Sequence, residues 1–143
     1  MRTIRTLVVG LLVVGVTPSI VQAQERINLP PRSGAMYSDA VRVGDLVFLS
    51  GVVAGGEEPA DQFRGIWRRI GRILEEAGSD LEHIVDITTY HVGMHDHIDD
   101  FIAVKAEFLP NNPTWTAVGV TELYMPSAVV EVRVIAAVPK EDG

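Results

Sequence analysis

The sequence predicts a two-layer α+β domain, a single mixed sheet with two helices laid on one of its faces. Three observations carry that prediction. Two amphipathic stretches, one from about residue 59 to 77 and one from about 98 to the stop at Pro110, each present an apolar stripe that needs a sheet to cover it. Strand-like runs surround them in the order hairpin, helix, strand, helix, strand, strand. The last run, Val129 to Val138, holds five valines and an isoleucine. Val130, Val132, Val134 and Ala136 point one way, while Ile135 and Ala137 share the other face with Glu131 and Arg133, as a central strand with a partly covered second face requires.

The first segment stands apart from the fold. Arg2 and Arg5 precede an apolar run from Leu7 to Val16, and Val21-Gln22-Ala23 ends it with small residues where a signal peptidase reads. Residues 1–23 are expected to be a secretory signal peptide and 24–143 the domain, placing the mature protein in the periplasm or outside the cell, with no membrane attachment after cleavage. A membrane anchor is the rival reading, but the run is about half of the ~20 residues that a spanning helix needs. The remaining length suits one domain.

The chain carries 12 Lys and Arg against 19 Asp and Glu, a formal charge of −7, and loses two further positive charges with Arg2 and Arg5. An acidic surface repels phosphates, so nucleic acid is not an expected partner. The absence of cysteine excludes disulfides and thiol catalysis.

Glu25 to Ala35 reads as a lead-in without periodicity. Met36 to Gly51 reads as a hairpin, with Val41 and Val43 alternating about Arg42 and Gly44-Asp45 supplying the turn. The Gly-rich loop from Val52 to Glu58 lacks the Lys of a phosphate loop. Pro59 opens a helix that stops at Gly78. Its apolar arc is Phe63, Ile66, Trp67, Ile70, Ile73, Leu74 and Ala77. Arg64, Arg68, Arg69 and Arg72 lie opposite, and read as a solvated face rather than an anion or RNA surface.

Ser79-Asp80 begins a capped turn, and Ile84 to Val92 is a regular alternating strand. His91, His95 and His97 follow one another closely, but a strand giving way to a Gly-containing loop does not gather ligands, so they read as surface histidines and no metal is expected. Asp99 and Asp100 complement the dipole of the second helix. Its apolar face takes in Ile98, Phe101, Ile102, Val104, Phe108 and Leu109. Lys105 falls inside that face and either snorkels to water or pairs with a carboxylate. Thr114 to Leu123 is the next strand, and the turn at Met125-Pro126-Ser127 leads into the last. The second sheet face is too rich in Val, Ile and Ala for water, which predicts self-association.

Two segments resemble the signatures of the RidA (reactive intermediate deaminase) family. One is Tyr37-Ser38-Asp39-Ala40-Val41-Arg42-Val43-Gly44-Asp45 continuing to Ser50-Gly51. The other is Pro113-x-x-Thr116-x-Val118-Gly119-Val120 followed by a Val130-Glu131-Val132 strand. Together they bracket residues 31 to 139. The resemblance implies a chorismate-mutase-like fold with a six-stranded mixed sheet, assembled as a homotrimer with a ligand cleft at each subunit boundary. It also implies an enamine or imine hydrolase that needs no cofactor. Glu131 matches the family's water-positioning Glu, Tyr37 the Tyr that lines the cleft, and Ser50-Gly51 and Thr116-Ala117 the segments that offer backbone groups to the ligand. Trp115 stands where the family's deaminating members place an Arg that grips the substrate carboxylate. An indole offers one neutral N–H and an apolar face, so the expected substrate is small and neutral or aromatic, stacked on Trp115. A cleft that binds a small molecule without turnover, or a protein acting through its surface, is the alternative.

Overall fold

The computed structural model describes residues 26–31, 34 and 36–140; the expected signal peptide lies outside them. The elements are β1 (Arg26–Leu29), β2 (Ala40–Val43), β3 (Leu46–Leu49), α1 (Pro59–Glu76), β4 (Ile84–Val92), α2 (Ile98–Phe108), β5 (Thr114–Val120) and β6 (Val130–Ala137). They form one six-stranded sheet in the order β1-β2-β3-β6-β4-β5. Only β4 and β5 are parallel, as the α2 crossover between them requires.

The valine-rich strand β6 is central, between β3 and β4. Val130, Val132, Val134 and Ala136 are buried under the helices with Phe63, Ile66, Trp67, Ile70 and Leu74 of α1 and Phe101 and Val104 of α2. The opposite sheet face is open. Leu46 and Val118 are exposed there, with Phe48 and Ile135 half-buried between them.

Helix α1 ends as its sequence dictates. Gly78 takes φ 82°, a conformation that costs glycine least, and the amides of Gly78 and Ser79 return to the carbonyls of Glu75 and Leu74. The Ser79 hydroxyl then donates to the Ala137 carbonyl at 2.6 Å, fixing the helix end to β6. Near the other end, the buried Gln62 side chain donates to the carbonyls of Gly56 and Ser127 and accepts from the amide of Val129. One side chain thereby ties two loops to α1.

Three expectations change, and one side chain gains a partner. Residues 26–29, read as irregular, form an edge strand on β2. In β4 the pairing slips between Ile84 and Asp86, so Val85 is extruded and exposed while Ile84 and Ile87 are both buried; the regular alternation fails at that bulge. Ile102 is exposed rather than part of the apolar face of α2. Lys105 is half-buried and, among the described residues, meets no carboxylate; its Nζ lies 4.6 Å from the centre of the Trp115 ring.

His95 is exposed as expected, but His91 and His97 depart from a surface reading. His91 is 0% exposed and His97 6%, and His91 Nδ1 faces His97 Nε2 at 3.2 Å. His91 Nε2 is 2.8 Å from the Thr89 hydroxyl, which also accepts from the Trp115 indole N–H at 3.0 Å. Burial, and then the neighbouring His97, pushes the His91 pKa down to about 4. Burial lowers that of His97 as well, against the opposing pull of Asp96 and Asp100. Facing ring nitrogens can share one proton but not hold two. The folded state therefore favours neutral rings, and stability is complete above the unfolded value of 6.5. As pH falls from there towards 4 the unfolded chain binds protons that the folded chain refuses, and stability drops by about 3 kcal/mol from His91 alone. Urea unfolding at pH 7.5 and 4.5 checks this, and equal midpoints would contradict it.

Candidate functional site

Glu131 lies near the start of β6, opposite Tyr90 of β4, on the sheet face away from the helices. The strand that pairs with it on the other side is interrupted at the same level. Phe48 pairs with Ile135 and Val52 with Val132, so the β3 side carries one extra residue. Ser50 and Gly51 form that bulge, and they face the open side beside Glu131.

The bulge explains the need for glycine. The Glu131 carboxylate lies across Gly51 so closely that a Cβ there would meet Oε1 in outright collision and stand 2.6 Å from Cδ. Ser50 is held independently: its hydroxyl donates to the Ser38 carbonyl at 2.7 Å and its amide to the Asp39 carbonyl at 3.0 Å.

A cavity of about 490 Å³ opens over this arrangement, bounded by Tyr37, Ser50, Gly51 and Glu131 on the sheet side. Val53, Tyr124 and Met125 add apolar wall, and Arg69 of α1 adds a cation. The loop carrying Tyr124 and Met125 leads into the stretch that Gln62 ties to α1. Among the described residues no donor hydrogen-bonds the half-buried Glu131 carboxylate. A half-buried carboxylate without a protein donor keeps its contact with water. This one is left free to bind what enters the cavity.

Four of the expected site residues, Tyr37, Ser50, Gly51 and Glu131, thus meet in one place. The other three do not join them within the chain. Trp115 pairs with Ile87, which pairs with Val134, so its side chain projects from the helix-covered face, opposite to that of Glu131. There it packs on Phe101 at 6.0 Å between ring centroids. Thr116 and Ala117 sit exposed on β5, the edge strand beyond β4. Arg69, Val53, Tyr124 and Met125 were not expected; Arg69 was one of four similar arginines, and nothing in the periodicity singles it out.

Residues 28–138 match the family model described as Endoribonuclease L-PSP. The chain is 34% identical over 113 residues to the RutC family protein YjgH of Escherichia coli, covering 73% of this chain and 85% of that one. Among solved structures, NMB1025 of Neisseria meningitidis, a member of the YjgF protein family, superposes with a TM-score of 0.77 at 27% identity, covering 84% of this chain and all of that one. Rv2704 of Mycobacterium tuberculosis gives a TM-score of 0.73 at 30% identity over 80% of this chain. The sheet order, the two helices on one face and the match across residues 28–138 agree: the chain belongs to the Endoribonuclease L-PSP family, the RidA/YjgF proteins.

Proposed function

We propose that this chain hydrolyses a small imine or enamine to a carbonyl compound and ammonia, with Glu131 directing the water. The observation that carries the reading is the unpartnered Glu131 carboxylate laid across Gly51 at the floor of the cavity. A carboxylate so placed can accept a proton from water as its oxygen bonds to the imine carbon. With the imine protonated, this addition gives a carbinolamine, which collapses when the proton passes from Glu131 to nitrogen and the carboxylate takes up the hydroxyl proton: the C–N bond breaks, ammonia leaves and the carbonyl remains. Tyr37, Tyr124 and Met125 give the cavity an apolar and aromatic wall, suited to an apolar or aromatic side group.

The active form in this reading is a homotrimer. The exposed Leu46 and Val118, with Phe48 and Ile135, give the open sheet face apolar surface to bury. Assembly would bring the β5 edge of one subunit to the cavity of the next, where Thr116 and Ala117 could offer backbone groups. The protein works after export, as the pattern of residues 1–23 suggests. An RNA-cleaving role draws less support. The chain is acidic, and Arg64, one of the four α1 arginines, is forked onto Glu107 of α2.

The test is ammonia release from imines generated in the assay by an amino-acid or amine oxidase. Release above the buffer rate and proportional to protein supports turnover. Tight ligand binding without release would favour a binding protein on the same scaffold.

A further inference from the structure

The geometry points to Arg69 as the anion-holding residue of the Glu131 cavity, so that the ligand carries a carboxylate-type group on the side facing α1. This rests on the reading of that cavity as the ligand site, and it changes the expected substrate. Trp115 by itself implies a neutral ligand, but α1 supplies a cation that β5 does not.

The α1 arginines are not equivalent. Arg64 is spent on Glu107, with both carboxylate oxygens engaged at 3.0 and 3.2 Å. Arg69 lines the same cavity as Glu131 and Ser50. Its nearest acid is Asp39, whose Oδ1 stands 3.6 Å from Nη2, too long for a hydrogen bond. A guanidinium has five N–H donors in a planar fork, and a single long contact leaves the fork available to a second carboxylate.

Asp39 is itself fixed in place. Its side chain is only 12% exposed, its amide donates to the Leu29 carbonyl, and its carbonyl accepts from the Ser50 amide. The acid nearest Arg69 is therefore fixed to the bulge that lies against Glu131. Arg69 and Glu131 place opposite charges around one space. A ligand with an anionic group towards α1 and a protonated nitrogen towards β6 would meet both. An anion lying over Glu131 instead would be repelled.

Phenylacetate and phenylacetamide make a matched pair of probes, equal in shape and differing in charge. Titration calorimetry on the chain should show phenylacetate binding about tenfold more tightly than the amide, the advantage of a charge-assisted fork at a partly exposed site. Arg69→Gln should reduce that ratio to about one, chiefly by weakening phenylacetate. Arg69→Lys should keep part of the preference, because it keeps the charge and loses the fork. Circular dichroism establishes that each variant is folded, and should the Gln variant not fold, the Lys variant decides by whether the ratio falls. The inference is overturned if a folded Arg69→Gln keeps the preference, if the Lys variant deciding in its place keeps it undiminished, or if the unaltered chain shows no preference. Failure of the turnover reading is distinguishable: a preference that follows Arg69 in a chain releasing no ammonia leaves this assignment standing and removes only the catalysis.

Discussion

Glu131→Gln is expected to lower imine turnover by about a hundredfold to ten-thousandfold, the usual contribution of a positioned general base. The amide keeps the length and shape of the side chain but cannot take a proton from water. The loss should fall on kcat more than on KM, because what is removed acts on the water rather than on the ligand. Stability should hardly change. The carboxylate has no hydrogen-bond donor among the described residues, so its replacement breaks no protein pair. Steady-state ammonia release and urea unfolding on the same preparation check both halves. An unchanged kcat would remove Glu131 from the reaction.

Gly51→Ala tests position rather than chemistry. The new methyl would occupy the space of the Glu131 Oε1 and Cδ atoms, so the carboxylate must swing away. What it collides with is the far end of a flexible side chain, and Gly51 itself is exposed, so the fold can absorb the change within about 1 kcal/mol. Catalysis cannot. A carboxylate displaced by an ångström or so from its water costs about tenfold to a hundredfold. The expected result is a folded protein with a near-native urea midpoint and greatly reduced turnover. Gly51→Ala with full activity would mean that the carboxylate position across the bulge is immaterial.

The fold was legible where its residues follow a period. The alternation of Val130, Val132, Val134 and Ala136 on β6 and the apolar arc of α1 both end in the core, because burial on one face is what those periods encode. β1 escaped because Arg-Ile-Asn-Leu is short, polar at two positions and on the sheet edge, so pairing rather than pattern makes it a strand. The slip at Val85 escaped because β-branched residues read as a regular strand whether or not a residue is extruded. His91 shares its face with Ile87 and Thr89, and parity alone could have placed it inside. His97 could not be placed that way; it reaches His91 only because the loop folds back over the strand.

The site divided along the same line. Tyr37, Ser50, Gly51 and Glu131 lie in the two segments that carry the family resemblance, and the hairpin and the β3–β6 pairing bring those segments together. Trp115 required the register of β5 on β4 before its side could be known, and that register puts it with Ile87 under the helices. An arginine at position 115 would therefore stand beneath Lys105 and against Phe101, and would not enter the Glu131 cavity of its own chain. The cation that does line this cavity comes from α1, across a tertiary contact that no local pattern announces.

The most direct test of the central claim is the decay of a freshly generated imine at pH 7.5, followed in buffer and at several concentrations of the chain. The expected decay rate rises linearly with protein above the buffer rate, with one ammonia and one carbonyl formed for each imine lost. A decay that stays at the buffer rate across neutral and carboxylate-bearing imines, in a protein shown to be folded, would contradict it and leave the Glu131 cavity a place for binding alone.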